Sequence, residues 1–221
     1  MCIELDPRLP PILAETLAGF DNVEIVLGDV MEVDLAALLA EHFAGMPVVV
    51  CANLPYYITT PILMRLLESR LPIEAITVMV QKEAAARLCA APGERECGAI
   101  SAAIAYYAEP RVLFGVSAGS FMPAPKVDSA VIRLDLRQTP PVFPADEHRM
   151  FALVRGAFAQ RRKTALNALS SATGIGKGKL AEAFAAAGVD PTVRAERLTL
   201  AQFAALSDAV GEQAGENGGK G

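Results

Sequence analysis

Apolar residues along this chain follow two rhythms. Up to about residue 138, short β-branched or apolar runs alternate with stretches of helical period, and beyond it only the helical period remains. Cys2-Ile3-Glu4-Leu5-Asp6 is a short strand-like run ending in acids, and Pro10 to Leu17 follows with helical spacing. Val23 to Asp29 alternates as a strand and closes on Gly28-Asp29. Asp34 to Phe43 reads as a helix with Asp34 as N-cap and Leu35, Leu38, Leu39 and Phe43 on one face. Met46 to Ala52 is the next strand, Pro61 to Leu67 a helix, Ala75 to Gln81 a strand and Lys82 to Ala90 a helix. Ala99 to Tyr107 fits either period. Arg111 to Val116 and Ala130 to Leu136 read as strands, and their short connection suits an antiparallel pair at a sheet edge. The alternation predicts an α/β fold with a parallel, doubly wound, Rossmann-like sheet over residues 1–138.

The Pro-rich stretch 139–144 reads as a linker, and 145–210 as a small all-helical domain. In it, Met150 to Leu169 carries Phe151, Val154, Phe158, Leu166 and Leu169 on one side. Leu180 to Ala187 and Thr199 to Val210 complete the bundle, and the Gly-rich tail 211–221 is expected to be disordered. Gly174 to Lys179 reads as a flexible basic loop. It is no phosphate-binding P-loop, because no strand precedes it and the Walker spacing is absent.

Composition narrows the classes. With 221 residues, 52% of them hydrophobic, the chain can bury one good core and a smaller second one. No run of about 18 uncharged apolar residues occurs and the N-terminus carries acids, so a soluble, cytoplasmic protein without a signal peptide is expected. Cys2, Cys51, Cys89 and Cys97 show no C-x-x-C spacing, which predicts reduced thiols and no metal site. The net charge of −5 argues against a protein that coats nucleic acid with its whole surface. Yet residues 1–141 hold 10 Lys+Arg against 17 Asp+Glu, whereas 142–210 hold 9 against 6, so the helical half is the basic one. Arg155, Arg161, Arg162, Lys163, Lys177 and Lys179 are its candidate RNA contacts; a merely solvated basic face is the alternative.

Candidate chemistry centres on Asn53-Leu54-Pro55-Tyr56, directly after the third apolar run. In open α/β sheets ligands bind beyond the carboxyl ends of the strands. There Asn53 offers an amide oxygen, Pro55 fixes the chain, and Tyr56 presents a π-face, a set suited to a planar amino-bearing ring such as adenine. Taken alone, the tetrapeptide is equally an ordinary strand-to-helix turn. Phe121, within Ser120 to Ser129, sits on a loop stiffened by Pro123 and Pro125 and suits stacking, although packing beneath its own loop is the simpler reading. Glu4 and Asp29 are strand-end acids able to accept from ribose hydroxyls and an exocyclic amine, or to be plain surface acids.

Together these segments resemble the ribosomal RNA adenine N6-dimethyltransferase family, most closely its bacterial 16S rRNA type. The resemblance rests on Asn53-Leu54-Pro55-Tyr56, on Phe121-Met122-Pro123-Ala124-Pro125-Lys126-Val127-Asp128-Ser129, on Gly28-Asp29, on Phe158-Ala159-Gln160-Arg161-Arg162-Lys163-Thr164 and on Arg194-Ala195-Glu196-Arg197-Leu198. It runs from Cys2 to Val210 in the family's order. It implies S-adenosylmethionine as cofactor, with Glu4 at its ribose, Asp29 and Val30 at its adenine, and Asn53 between cofactor and target. It implies Asn53, Leu54, Pro55, Tyr56 and Phe121 as the catalytic set, and 16S rRNA in the assembling small ribosomal subunit as partner of a monomer. The family's first strand and glycine-rich loop have no counterpart here, which leads us to expect a truncated reading of a longer enzyme. A non-catalytic rRNA-binding assembly factor and a 23S rRNA methyltransferase are the alternatives.

Overall fold

In the computed structural model of the chain, the described residues run from Met1 to Gly218. The N-terminal part opens with β1 (Cys2–Glu4), α1 (Leu9–Thr16), β2 (Ile25–Leu27) and α2 (Leu35–His42). It continues with β3 (Val48–Asn53), α3 (Thr59–Glu68), β4 (Ile73–Gln81), α4 (Lys82–Leu88), α5 (Ala99–Tyr107), β5 (Ala108–Val116) and β6 (Ser129–Leu136). Asp34 caps α2 as the sequence predicts, its side chain accepting from the Ala37 N–H at 3.0 Å. The ambiguous segment 99–107 is a helix, and its small residues explain why: Ala102 and Ala103 are buried where larger side chains would hold the neighbouring helices apart.

Two sheets form among the described residues. β1 and β2 pair in parallel, and β3, β4, β6 and β5 lie in that order in a second sheet, with β3 parallel to β4 and β6 antiparallel to both β4 and β5. The predicted antiparallel edge pair is therefore present. One face of the larger sheet carries Ile76, Val78, Val80, Ile132 and Leu134, which share a core with Leu63, Leu66 and Leu67 of α3, Leu88 of α4 and Ile104 of α5. Ile3, Val30 and Val33 from the region of the smaller sheet pack against that same core. On the other face of β3, Val49 and Cys51 are exposed.

The C-terminal part consists of α6 (Glu147–Phe158), α7 (Ala165–Thr173), α8 (Lys177–Ala186) and α9 (Leu200–Gly218). The single helical pattern read over Met150 to Leu169 is in fact two helices, broken at Ala159 to Thr164, where the Thr164 hydroxyl restarts the ladder by capping α7. Lys177 and Lys179, expected on a loop, lie in the first turn of α8. α9 continues to Gly218, so residues 211–218 are helical rather than disordered: the preceding turns, anchored by buried Phe203, Leu206 and Ala209, have already met the nucleation cost. Residues 219–221 lie outside the described residues.

The helical core is not self-contained. Met150, Phe151, Val154, Phe184, Phe203 and Leu206 pack in one cluster with Ala102, Ala103 and Tyr106 of α5. The stretch 139–144 is seated rather than loose, with Val142 against that cluster and the Ala145 N–H donating to Asp208 Oδ1 at 2.9 Å. All four cysteines are unpaired, and burial pushes the Cys89 and Cys97 thiols up. Among the described residues no cluster of His, Cys, Asp or Glu could hold a metal ion, and no helix is long and apolar enough to cross a membrane.

Candidate active site

β3 delivers Asn53 to the carboxyl end of the larger sheet, paired in register with Met79, which in turn faces Val131 of β6. The chain then turns through Leu54 to Tyr57. The Pro55 carbonyl accepts from the Ile58 N–H at 3.1 Å and from the Thr59 hydroxyl at 3.0 Å, which fixes the turn to the start of α3. Leu54 is drawn partly into the core, while Asn53 and Pro55 are exposed. Tyr56 is 40% exposed, enough to offer a ring face to a ligand.

One contact joins the two motifs. The Tyr56 hydroxyl lies 2.9 Å from Ser129 Oγ, and Ser129 is fully buried as the first residue of β6, opposite Gln81 of β4. The loop ending at Ser129 carries Phe121, so the strand-end tetrapeptide and the proline-stiffened aromatic loop meet at one edge of the sheet. The loop is itself braced: Asp128 Oδ1 accepts from the Ala118 N–H at 3.0 Å, and the Asp128 carbonyl from the Lys82 N–H at 3.0 Å. Met122 is 99% exposed and the Met122–Pro123 peptide is cis. Phe121 is partly exposed, so it is not packed away beneath its loop.

The two strand-end acids also come together. The Gly28 N–H donates to the Glu4 carbonyl at 2.9 Å, which sets Asp29 at the same end of the parallel pair as Glu4. Glu4 Oε1 accepts from the Asp6 N–H at 2.8 Å, and Asp29 Oδ1 from the Met31 N–H at 2.7 Å. In each carboxylate the second oxygen has no hydrogen-bond partner among the described residues, which suits acceptance from sugar hydroxyls or an amine. Glycine at 28 is dictated by packing: a Cβ there would meet Val33 Cγ1 at 2.7 Å. Val30, beside Asp29, is half-buried against the core. Arg65 of α3 donates to the Val33 carbonyl at 2.8 Å and so ties this turn to the helix that follows Tyr56.

The basic residues occupy a different region. Arg155 is exposed on α6; Arg161, Arg162 and Lys163 are exposed on the turn before α7; Lys177 and Lys179 are exposed at the start of α8. Arg161 donates to the Arg95 carbonyl at 3.3 Å, linking this turn to the loop between α4 and α5. Basic side chains in a helix's first turn work against its dipole, and at α8 they concentrate positive potential that suits an anion more than helix stability. Ser129 is the participant that sequence reasoning passed over. Its signal was available, a small hydroxyl at the start of a strand, but nothing in the pattern named Tyr56 as its partner.

An α/β sheet with strand-end acids, an Asn-Leu-Pro-Tyr turn at a strand's carboxyl end and an aromatic loop whose base bonds to that turn suits a methyltransferase acting on a nucleic-acid base. Comparison with known proteins makes this specific. The family model described as "Ribosomal RNA adenine dimethylase" matches residues 1–211, and the chain belongs to that family. It is 50% identical over 214 residues to the ribosomal RNA small subunit methyltransferase A of Geobacillus thermodenitrificans, covering 95% of this chain and 73% of that protein. To the protein of the same description from Lachnoclostridium phytofermentans it is 47% identical over 216 residues, covering 96% of this chain and 74% of the other. Among solved structures, the dimethyladenosine transferase of Plasmodium falciparum shares the fold, with a TM-score of 0.72 at 22% identity over 92% of this chain and 78% of that one. The 23S rRNA methyltransferase ErmE aligns with a TM-score of 0.67 at 25% identity, covering 95% of this chain and 80% of the other. The family match supports a catalytic role over rRNA binding alone.

Proposed function

We propose that this chain dimethylates the N6 amines of two adjacent adenosines near the 3′ end of small-subunit rRNA, acting in the cytoplasm as a monomer on the assembling subunit. The observation that carries the reading is the Tyr56–Ser129 hydrogen bond, because it joins the Asn53–Tyr56 turn to the base of the loop that carries Phe121. The acids fit the cofactor's adenosine. Glu4 would accept from its ribose hydroxyls and Asp29 from its exocyclic amine, each through the oxygen not used internally, with Val30 beside the ring. S-adenosylmethionine, when bound, supplies an electrophilic sulfonium methyl.

The chain's own residues position the nucleophile. Asn53 Oδ1 and the Leu54 carbonyl accept the two N6 hydrogens, which draws the nitrogen lone pair out of ring conjugation. Pro55 keeps that turn rigid and presents no N–H to compete. Tyr56 and Phe121 stack on the extruded base, each such contact worth about 1–3 kcal/mol. No strong general base is needed, since the methylated amine is far more acidic and sheds its proton to solvent. Arg155, Arg161, Arg162, Lys163, Lys177 and Lys179 grip RNA phosphates, which makes binding salt-dependent. Asn53→Ala is expected to abolish methyl transfer to small ribosomal subunits while leaving rRNA binding intact. Unchanged transfer would refute the mechanism, and methylation mapped to large-subunit rRNA would refute the substrate.

A further inference from the structure

Glu147 opens α6, the first helix of the basic half, yet its carboxylate is satisfied by the other half of the molecule. Oε1 accepts from the Tyr107 hydroxyl at 2.7 Å; Oε2 accepts from the Tyr106 hydroxyl at 3.0 Å and from Arg70 Nη2 at 2.7 Å. Tyr106 and Tyr107 end α5, and Arg70 lies in the turn between α3 and β4. The rings continue the joint: Phe151, one turn along α6, stacks on Tyr107 at 5.6 Å and meets Tyr106 edge-on at 5.2 Å. Arg70 holds this pose with φ of 52°, a left-handed backbone that a non-glycine residue adopts at a cost.

The joint lies far from the adenine edge. It borders a cavity of about 630 Å³ lined by Pro47 and Ile73, which flank the entry ends of β3 and β4, whereas Asn53 is at the exit end of β3. α6 is the element that runs from the joint to the basic turn. That helix spans 12 residues, or about 18 Å, and ends at the basic turn Ala159 to Lys163. A rotation of about 10° at the Glu147 end displaces the far end by about 3 Å over that length, enough to take a phosphate-gripping side chain out of hydrogen-bond reach of its phosphate. The far end is tied to the N-terminal half by the exposed contact of Arg161 with the Arg95 carbonyl and by the apolar cluster that Val154 and Ala157 share with Ala102 and Ala103 of α5.

We propose that Glu147 is a positioning residue: with Tyr106, Tyr107 and Arg70 it pins the angle of α6, and so sets the distance from the basic RNA-gripping turn to the adenine edge. The part concerning RNA rests on the function proposed above. The test uses the intact chain with Glu147→Gln, Glu147→Ala and the double variant Tyr106→Phe with Tyr107→Phe, which keeps both rings and removes both hydroxyls. Spin-labelled unnatural side chains at the exposed positions of Glu83 and Glu182 report the distance between the halves by pulsed electron resonance. The expected result is a broadened or shifted distance in all three variants, and a KM for small ribosomal subunits raised about tenfold with kcat within about twofold. An unchanged distance distribution overturns the pin. So does a loss of kcat at unchanged KM, or a loss of activity that merely tracks the unfolded fraction in thermal melts. If the unaltered chain methylates no rRNA, the proposed function fails while the distance measurement still judges the pin.

Discussion

At the scale of single residues, the site depends on side chains that hold other side chains. Ser129 contributes no ligand-facing group, yet it fixes the Tyr56 ring by its hydroxyl at 2.9 Å. The two partners differ in surroundings, Ser129 fully buried and Tyr56 40% exposed, so deleting one is not equivalent to deleting the other. Ser129→Ala leaves a Tyr56 hydroxyl that water can reach and is expected to cost about 1 kcal/mol of stability. Tyr56→Phe strands a buried Ser129 hydroxyl and is expected to cost about 1–3 kcal/mol, more than the alanine change. Denaturant unfolding of both single variants and the double variant checks this: the double should fall near Ser129→Ala, because the orphaned hydroxyl is then gone. Full additivity would show that the bond contributes nothing. In methyl transfer, Ser129→Ala should lower kcat/KM several-fold, since the stacking ring loses its tether.

Among the secondary-structure elements, what the sequence disclosed depends on where the determining contacts lie. α2 and its Asp34 cap were legible because cap and helix are neighbours in the chain. β5 and β6 were legible as an antiparallel pair because their connection is short. The break between α6 and α7 was not legible. Apolar spacing continues across Gln160 to Lys163, and the restart depends on Thr164, whose hydroxyl bonds the Asn167 N–H at 3.3 Å and Asn167 Nδ2 at 2.9 Å. Thr164→Ala is expected to destabilise the protein by about 1 kcal/mol and to lower its melting temperature by about 2–4 °C for a chain of this size. Amide hydrogen exchange should quicken first in α7, and unaltered protection there would argue against the cap. Segment 99–107 was ambiguous for a related reason. Its Ala-rich face acquires helical meaning only against the helices that bury it, which include α6 from a distant part of the sequence. The candidate site was legible as two motifs whose juxtaposition was not, because Tyr56 and Ser129 are separated by 73 residues.

For the whole molecule, acidic and basic halves are joined through a carboxylate and two phenols, and that joint should be visible in the pH dependence of stability. Burial alone would raise the Glu147 carboxyl, but the Tyr107 and Tyr106 hydroxyls and the Arg70 guanidinium outweigh it and hold the carboxyl below its ordinary 4.5. A carboxyl depressed by folding contributes stability that is present above 4.5 and lost as pH falls through its lowered folded value. The Asp6, Asp146 and Asp190 carboxyls, lowered mainly by hydrogen bonds from Arg8, the Arg149 N–H and the Thr192 N–H, add to the same acid limb. The phenols act with the opposite sign. Burial first, then the bond to Glu147 and its negative charge, push Tyr106 from 10 up to about 12 and raise Tyr107 as well. Their contribution is complete below pH 10 and is lost as pH rises from 10 toward 12, where the unfolded chain has already released both protons. Stability measured by urea unfolding should thus be flat near neutrality and fall on both sides. Replacing both tyrosines by phenylalanine should reduce the alkaline fall, leaving the part set by the raised Cys89 and Cys97 thiols, and weaken the acid one, since Glu147 then loses two of its donors. An alkaline limb of undiminished steepness in that variant would mean that other groups govern it, and that the carboxylate–phenol joint does not link the two halves energetically.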